Sequence, residues 1–149
     1  MFTGTYTAIV TPFNRDGSVD YGCLRALIEW QIASGVEGLV PVGTTGESPT
    51  LEWDEHLKVI SFAAETAAKR VKVIAGTGAN ATAEAIHLTR SVLQMGVDAT
   101  LQVTPYYNKP NQEGLFRHFS AVADLGLPVI LYNVPGRSSR EIAVETVVR

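Results

Sequence analysis

Short apolar, β-prone runs recur about every 30 residues in this chain, and each is followed by a loop and a segment with helical spacing. The first is Thr5 to Val10, closed by Thr11-Pro12. Leu39 to Val42, Val71 to Ala75, Ala99 to Val103 and Val129 to Tyr132 follow. These runs are continuously apolar rather than alternating, the pattern of strands covered on both faces. Such repetition calls for parallel strands joined by right-handed crossovers, an α/β fold. Pro41 is the irregular point. It lacks the N–H that a ladder needs, so the second strand should be short or locally distorted.

Helical spacing fills the intervals. Asp20 is placed to cap a first helix carrying Leu24, Leu27, Ile28 and Ile32, with Ser34-Gly35 ending it. A second helix runs from about Trp53 to Lys69, with Leu57, Ile60 and Ala64 on one side. Asn80 is a candidate cap for a third, which carries Ile86 and Leu93 and ends at Met95-Gly96. In the fourth, Leu115, Phe116, Phe119 and Val122 share a face. The single cysteine, Cys23, lies among apolar neighbours and reads as a helix core residue. After the polar loop Asn133 to Ser139 a fifth helix has barely begun at Arg149, so the sequence reads as cut within it. Five strands fit either an open doubly wound sheet or the first part of an eight-stranded barrel. Alone, they would leave the first and fifth strands as bare edges.

Charge narrows the partners. The net charge is −3, and the 12 basic residues are scattered, which leaves no electrostatic footprint for nucleic acid or an anionic membrane. No apolar run is long enough to span a bilayer, and Met1-Phe2-Thr3-Gly4 has neither region of a secretory signal. A cytoplasmic location is expected.

The chemistry collects in the loops after the strands. Gly43-Thr44-Thr45-Gly46-Glu47 sets two hydroxyls between glycines that allow close approach to a ligand, at the strand end where parallel folds hold their sites. A capped βα turn is the plainer alternative. The same group of loops carries Ser48; Thr77, Gly78 and Asn80; Tyr106 and Tyr107; and Tyr132, Asn133 and Arg137. Parallel strands would bring all of these to one face. Tyrosines and threonines in a dry pocket suit proton relay, and the planar fork of Arg137 suits a carboxylate. Metal-ligand spacing and a Ser-His-Asp set are missing. His56, His87 and His118 fall on predicted helices, as solvated or packing residues. Gly76-Thr77-Gly78-Ala79-Asn80-Ala81 matches G-x-G-x-x-A after a strand, and Asp98 lies about 20 residues on. The acid that binds a ribose should close the next strand, however, and Asp98 precedes it. A nucleotide site is therefore disfavoured.

Four of these stretches, in order, resemble the dihydrodipicolinate synthases. They are Gly38-Leu39-Val40 through Gly43-Thr44-Thr45-Gly46-Glu47-Ser48, Ala75 to Asn80, Val103-Thr104-Pro105-Tyr106-Tyr107-Asn108-Lys109-Pro110, and Tyr132-Asn133-Val134-Pro135-Gly136-Arg137. That family belongs to the class I pyruvate-dependent aldolases, with N-acetylneuraminate lyase. The Tyr106-Tyr107 pair and Arg137 favour the synthase branch.

The resemblance implies an α/β parallel (β/α)8 TIM barrel, of which these residues supply about five strands and four helices as the N-terminal portion of one domain. It implies a lyase of lysine and diaminopimelate biosynthesis that condenses pyruvate, held as a Schiff base on lysine, with aspartate semialdehyde, and that needs no metal or other cofactor. Thr44, Tyr107 and Tyr132 match the proton-relay positions, with Tyr107 reaching a neighbouring subunit's site in a homotetramer. Thr45 matches the binder of the pyruvate carboxylate, and Arg137 the binder of the semialdehyde carboxylate. Ser48, Trp53, His56, Asn80, Glu84 and Tyr106 match positions of a site for free lysine as feedback inhibitor. Trp53 stands where some bacterial members have histidine and plant members tryptophan. The Schiff-base lysine of the family falls beyond Arg149, and Lys58, Lys69, Lys72 and Lys109 do not replace it, so residues 1–149 alone are expected to be inactive. Another lyase of the superfamily and a non-catalytic, self-associating half-barrel are the alternatives.

Overall fold

In the computed structural model, which describes residues 2–149, five parallel strands form one sheet in strict chain order. They are β1 (Tyr6–Ala8), β2 (Gly38–Val40), β3 (Lys72–Gly76), β4 (Ala99–Val103) and β5 (Val129–Tyr132). A doubly wound sheet must reverse its strand order somewhere. This one never does. Right-handed crossovers that always step the same way put every helix on the same side. Accordingly α1 (Tyr21–Ala33), α2 (Trp53–Ala67), α3 (Thr82–Val92) and α4 (Gln112–Ala123) pack in succession, each on the next. The short helices α5 (Pro135–Ser138) and α6 (Val144–Val148) follow.

The pleat divides the apolar residues of the strands between the two faces of the sheet. Leu39 and Ala75 turn outward to the helices and join Leu24, Ile28, Val59, Ile60 and Ala63. Val40, Ile74 and Ala99 turn to the concave side with Phe2, Tyr6, Leu101 and Ile130. This one-sided covering is the arc of a parallel (β/α)8 barrel and rules out the open sheet. Among the described residues β1 and β5 each pair with one neighbour only.

Several expectations shift. As Pro41 foretold, β2 stops at Val40, and Val42 takes a left-handed φ of +54°. Helix α2 ends at Ala67, because Ala68 and Lys69 are both left-handed. Its buried face is His56, Val59, Ile60, Ala63, Thr66 and Ala67, rotated from Leu57 and Ala64. On α3 likewise Ala85, Leu88, Thr89 and Val92 are buried rather than Ile86 and Leu93, and the helix ends before Met95-Gly96. Bulky and small residues share each buried face, while Leu57, Ala64, Ile86 and Leu93 lie partly exposed at its margin. Asn80 does not cap α3: the N-cap is Ala81, with no side-chain bond. Asp20 does cap α1, accepting from the Cys23 N–H at 2.9 Å, and Asn111 caps α4 through the Gly114 N–H at 2.8 Å. Cys23 is exposed, not core, because its place in the first turn of α1 faces away from Leu24 and Ile28.

Candidate active site

Strand polarity sends the loops after β2, β3, β4 and β5 to one end of the sheet, and a cavity of about 220 Å³ opens there. Its floor is backbone and small side chains: Val42, Gly43, Gly76 and Gly78. Leu101 and Val103, the concave-facing residues of β4, form the back wall. Thr44 and Ser48 come from the loop after β2, Tyr106 from the loop after β4, Tyr132 from the end of β5, and Arg137 from α5. Five polar side chains predicted to converge thus meet around one hollow.

The loop after β2 reaches the cavity by an unexpected route. Its glycines do not take left-handed angles; Val42 (φ +54°) and Glu47 (φ +58°) on either side do. The turn between them is closed by the Gly46 and Ser48 N–H groups, which donate to the Gly43 carbonyl at 3.0 and 3.3 Å. Thr11 Oγ1 pins it from outside, donating to the Gly46 carbonyl at 2.7 Å. Gly46 is required by contact: a Cβ there would lie 2.9 Å from the Val42 nitrogen.

Gly76 and Gly78 are explained the same way. A Cβ on Gly76 would lie on the Val42 carbonyl oxygen, and one on Gly78 against the Val103 nitrogen. These glycines let three strand ends crowd together, so the G-x-G-x-x-A match reflects packing. Asp98 is likewise structural, accepting from the Val73 N–H at 2.9 Å. Thr77, expected on the open face, is fully buried behind it. There it bonds to Thr89, Thr100 and the Gln102 amide.

Not every expected residue lines the cavity. Thr45 is exposed and lies outside the lining. Tyr107 points away from it, 89% exposed and left-handed at φ +72°. Its loop is tethered by Asn108 Nδ2, which donates to the Asn80 carbonyl at 2.9 Å, and by Arg140 Nε, which donates to the Lys109 carbonyl at 3.0 Å. Arg137 sits in a short helix organised by Ser138, whose buried Oγ donates to the Arg140 carbonyl at 2.7 Å. Ser138, Pro49, Val134, Leu101 and Val103 are cavity residues that the sequence reading missed. Only the two on β4 carried a signal, the strand period that turns alternate residues inward.

The second predicted set is contiguous with the first, since Ser48 and Tyr106 line the same cavity as Thr44. Trp53 Nε1 donates to Glu84 Oε1 at 3.1 Å, and the Trp53 ring stacks on exposed His87 at 5.1 Å. Burial, then the Glu84 charge, raise the Tyr106 phenol above the ordinary tyrosine range. His56 lies buried beneath, with Nε2 2.7 Å from the Gly76 carbonyl. A carbonyl can only accept, so Nε2 carries the proton. Burial holds the His56 pKa low, against smaller opposing effects of that carbonyl and Glu84. Asn80 meets the set only at its border, through the carbonyl bonded by Asn108.

No lysine lines the cavity. Lys58 lies over the Tyr21 ring, Lys69 donates to the Gly96 carbonyl, and Lys72 starts β3 at the opposite end of the sheet. Lys109 is exposed in the Tyr107 loop. Among the described residues no group of three or more His, Cys, Asp or Glu could hold a metal ion, and no helix is long and apolar enough to cross a membrane.

Residues 1–149 match the model of the dihydrodipicolinate synthetase family. The 4-hydroxy-tetrahydrodipicolinate synthase of Acidiphilium cryptum is 57% identical over 150 residues, covering 100% of this chain and 51% of that protein. The chain spans about half the length of the curated relatives it matches. Among solved structures, the 4-hydroxy-tetrahydrodipicolinate synthase of Methylacidiphilum fumariolicum SolV superposes with a TM-score of 0.96 at 54% identity, over 99% of this chain and 49% of that one. The chloride-inhibited dihydrodipicolinate synthase of Acinetobacter baumannii, complexed with pyruvate, gives 0.95 at 52% identity over 98% and 50%. The enzyme of Cyanidioschyzon merolae with lysine bound gives 0.91 at 43% identity over 95% and 49%.

Proposed function

Because this chain belongs to the dihydrodipicolinate synthetase family, we propose that it supplies the proton-relay and carboxylate-binding side of a pyruvate-dependent aldolase, a lyase that condenses pyruvate with aspartate semialdehyde. The observation that carries this reading is the shared cavity of Thr44, Tyr132 and Arg137 at the C-terminal ends of the strands. Thr44 and Tyr132 are hydroxyl groups fit to pass a proton between substrate and solvent. Arg137 presents a fork to a substrate carboxylate at the rim, and Thr45 holds the pyruvate carboxylate once the loop is covered. Tyr107, directed out of its own cavity, completes the relay in a neighbouring copy of a cytoplasmic homo-oligomer. Ser48, Trp53, His56, Asn80, Glu84 and Tyr106 form the corresponding site for free lysine as inhibitor. The lysine-bound relative from Cyanidioschyzon merolae supports free lysine as a ligand.

The nucleophile comes from elsewhere. None of the four lysines is both desolvated and at the cavity, as a Schiff-base lysine must be. Residues 1–149 are therefore read as the N-terminal portion of one barrel, inactive alone. Borohydride reduction in the presence of pyruvate, followed by mass spectrometry, tests this. We expect no adduct on Lys58, Lys69, Lys72 or Lys109; a trapped pyruvyl group on any of them overturns the assignment.

A further inference from the structure

We propose that Val42 is a positioning residue whose left-handed backbone, wedged between Gly46 and Gly76, sets where Thr44 enters the cavity. Valine is among the least suited residues for φ +54°, because its branched Cβ crowds the following carbonyl. Glycine or asparagine would adopt this angle with less strain. Such conformations persist only where the surroundings over-determine them, and here they do so from three sides.

The Val42 side chain is 1% exposed and anchored in the core shared with Ile9, Leu39 and Ala75. Its nitrogen and Cα lie against Gly46, and its carbonyl oxygen lies over Gly76. The preceding carbonyl, of Pro41, accepts from the Gly76 N–H at 3.0 Å. Pro41 ends the strand, Val42 reverses the handedness of the backbone, and two residues later Thr44 lines the hollow. The anchor holds the strained turn, and the strained turn aims the hydroxyl. Every contact in this chain is made by the protein's own backbone and core.

The inference rests on the reading that Thr44 takes part in the reaction, and two variants separate the claims. Val42→Ala removes the anchor but keeps the steric penalty of a Cβ at positive φ, whereas Val42→Gly removes both. Amide hydrogen exchange over Gly43–Ser48 is read first, since it needs no activity. We expect exchange at least tenfold faster than wild type in Val42→Ala, and partly restored protection in Val42→Gly, the reverse of the usual order for these residues. Equal protection in the two variants, or lower protection in Val42→Gly, overturns the positioning role. Turnover of the pyruvate condensation is read second, in a complete barrel that joins these residues to the remainder carrying the Schiff-base lysine. The value of kcat should fall at least tenfold in Val42→Ala and recover at least threefold in Val42→Gly, with KM for pyruvate changed less than kcat. A kcat that ignores the loop overturns the link to Thr44. Absence of turnover in the unsubstituted complete barrel overturns the functional reading, while the exchange data still decide the turn.

Discussion

A Cβ added to Gly76 has nowhere to go, because the atom it would strike is a backbone carbonyl oxygen, that of Val42. Flexible side chains can yield to such crowding, but three converging strand ends cannot. Gly76→Ala should cost about 3 kcal/mol, at the upper end of overpacking penalties, and chemical denaturation followed by far-UV circular dichroism would measure it. A loss below about 1 kcal/mol would mean that the strand ends separate easily. The conformational choice at Val42 could not be read from the sequence, since no local propensity favours valine there. Thr44, Tyr132 and Arg137 were legible for the opposite reason. They are chemistry-bearing residues at strand ends, and topology alone brings them together.

The helices show where local patterns suffice and where packing overrides them. Asp20 and Asn111 both accept from the N–H three residues on, so each satisfies a donor that the helix start leaves unpaired. Asn80 precedes α3 by two residues, one too early to cap it. Asn111→Ala should therefore destabilise the protein by about 1 kcal/mol and Asn80→Ala by less than about 0.5 kcal/mol, as read from urea midpoints. Equal losses would contradict the cap assignment. The rotation of the buried faces on α2 and α3 was hidden from periodicity, which marks the most hydrophobic side of a helix. Packing on the sheet selects instead the side that carries Val59, Ile60 and Ala63 on α2 and Leu88, Thr89 and Val92 on α3. The parallel alternation was plain from the runs themselves. The runs left barrel and open sheet equal; the family resemblance chose the barrel, and the unreversed strand order bears that out.

For the molecule as a whole, two buried imidazoles link stability to pH. Burial lowers the pKa of His56 and of His118 from an ordinary value of 6.5. His118 Nδ1 meets Thr82 Oγ1 at 2.9 Å, but its Nε2 faces no partner, so a second N–H would be stranded. The unfolded chain takes up protons near pH 6.5 while the folded chain resists them. Stability is thus complete above that value and declines as pH falls below it toward the lowered folded-state pKa. Urea midpoints between pH 8 and 5 should fall along this window, with a shallower slope in His118→Gln; a flat wild-type profile would exclude the linkage. Exposed pairs such as Arg70 with Glu29 add little to this slope.

The crowded floor of the cavity has a practical corollary for anyone wishing to change what it accepts. Gly76 and Gly78 are closed to every side chain, so the depth of the hollow is not an adjustable parameter at those positions. Gly43 differs, since a Cβ there would make only ordinary contact with Leu101 at 3.6 Å. A library built on Gly43, Pro49, Val134 and Ser138 would resize the space while leaving the strand ends in place. Selectivity in this scaffold can be redesigned at its rim and at one point of its floor.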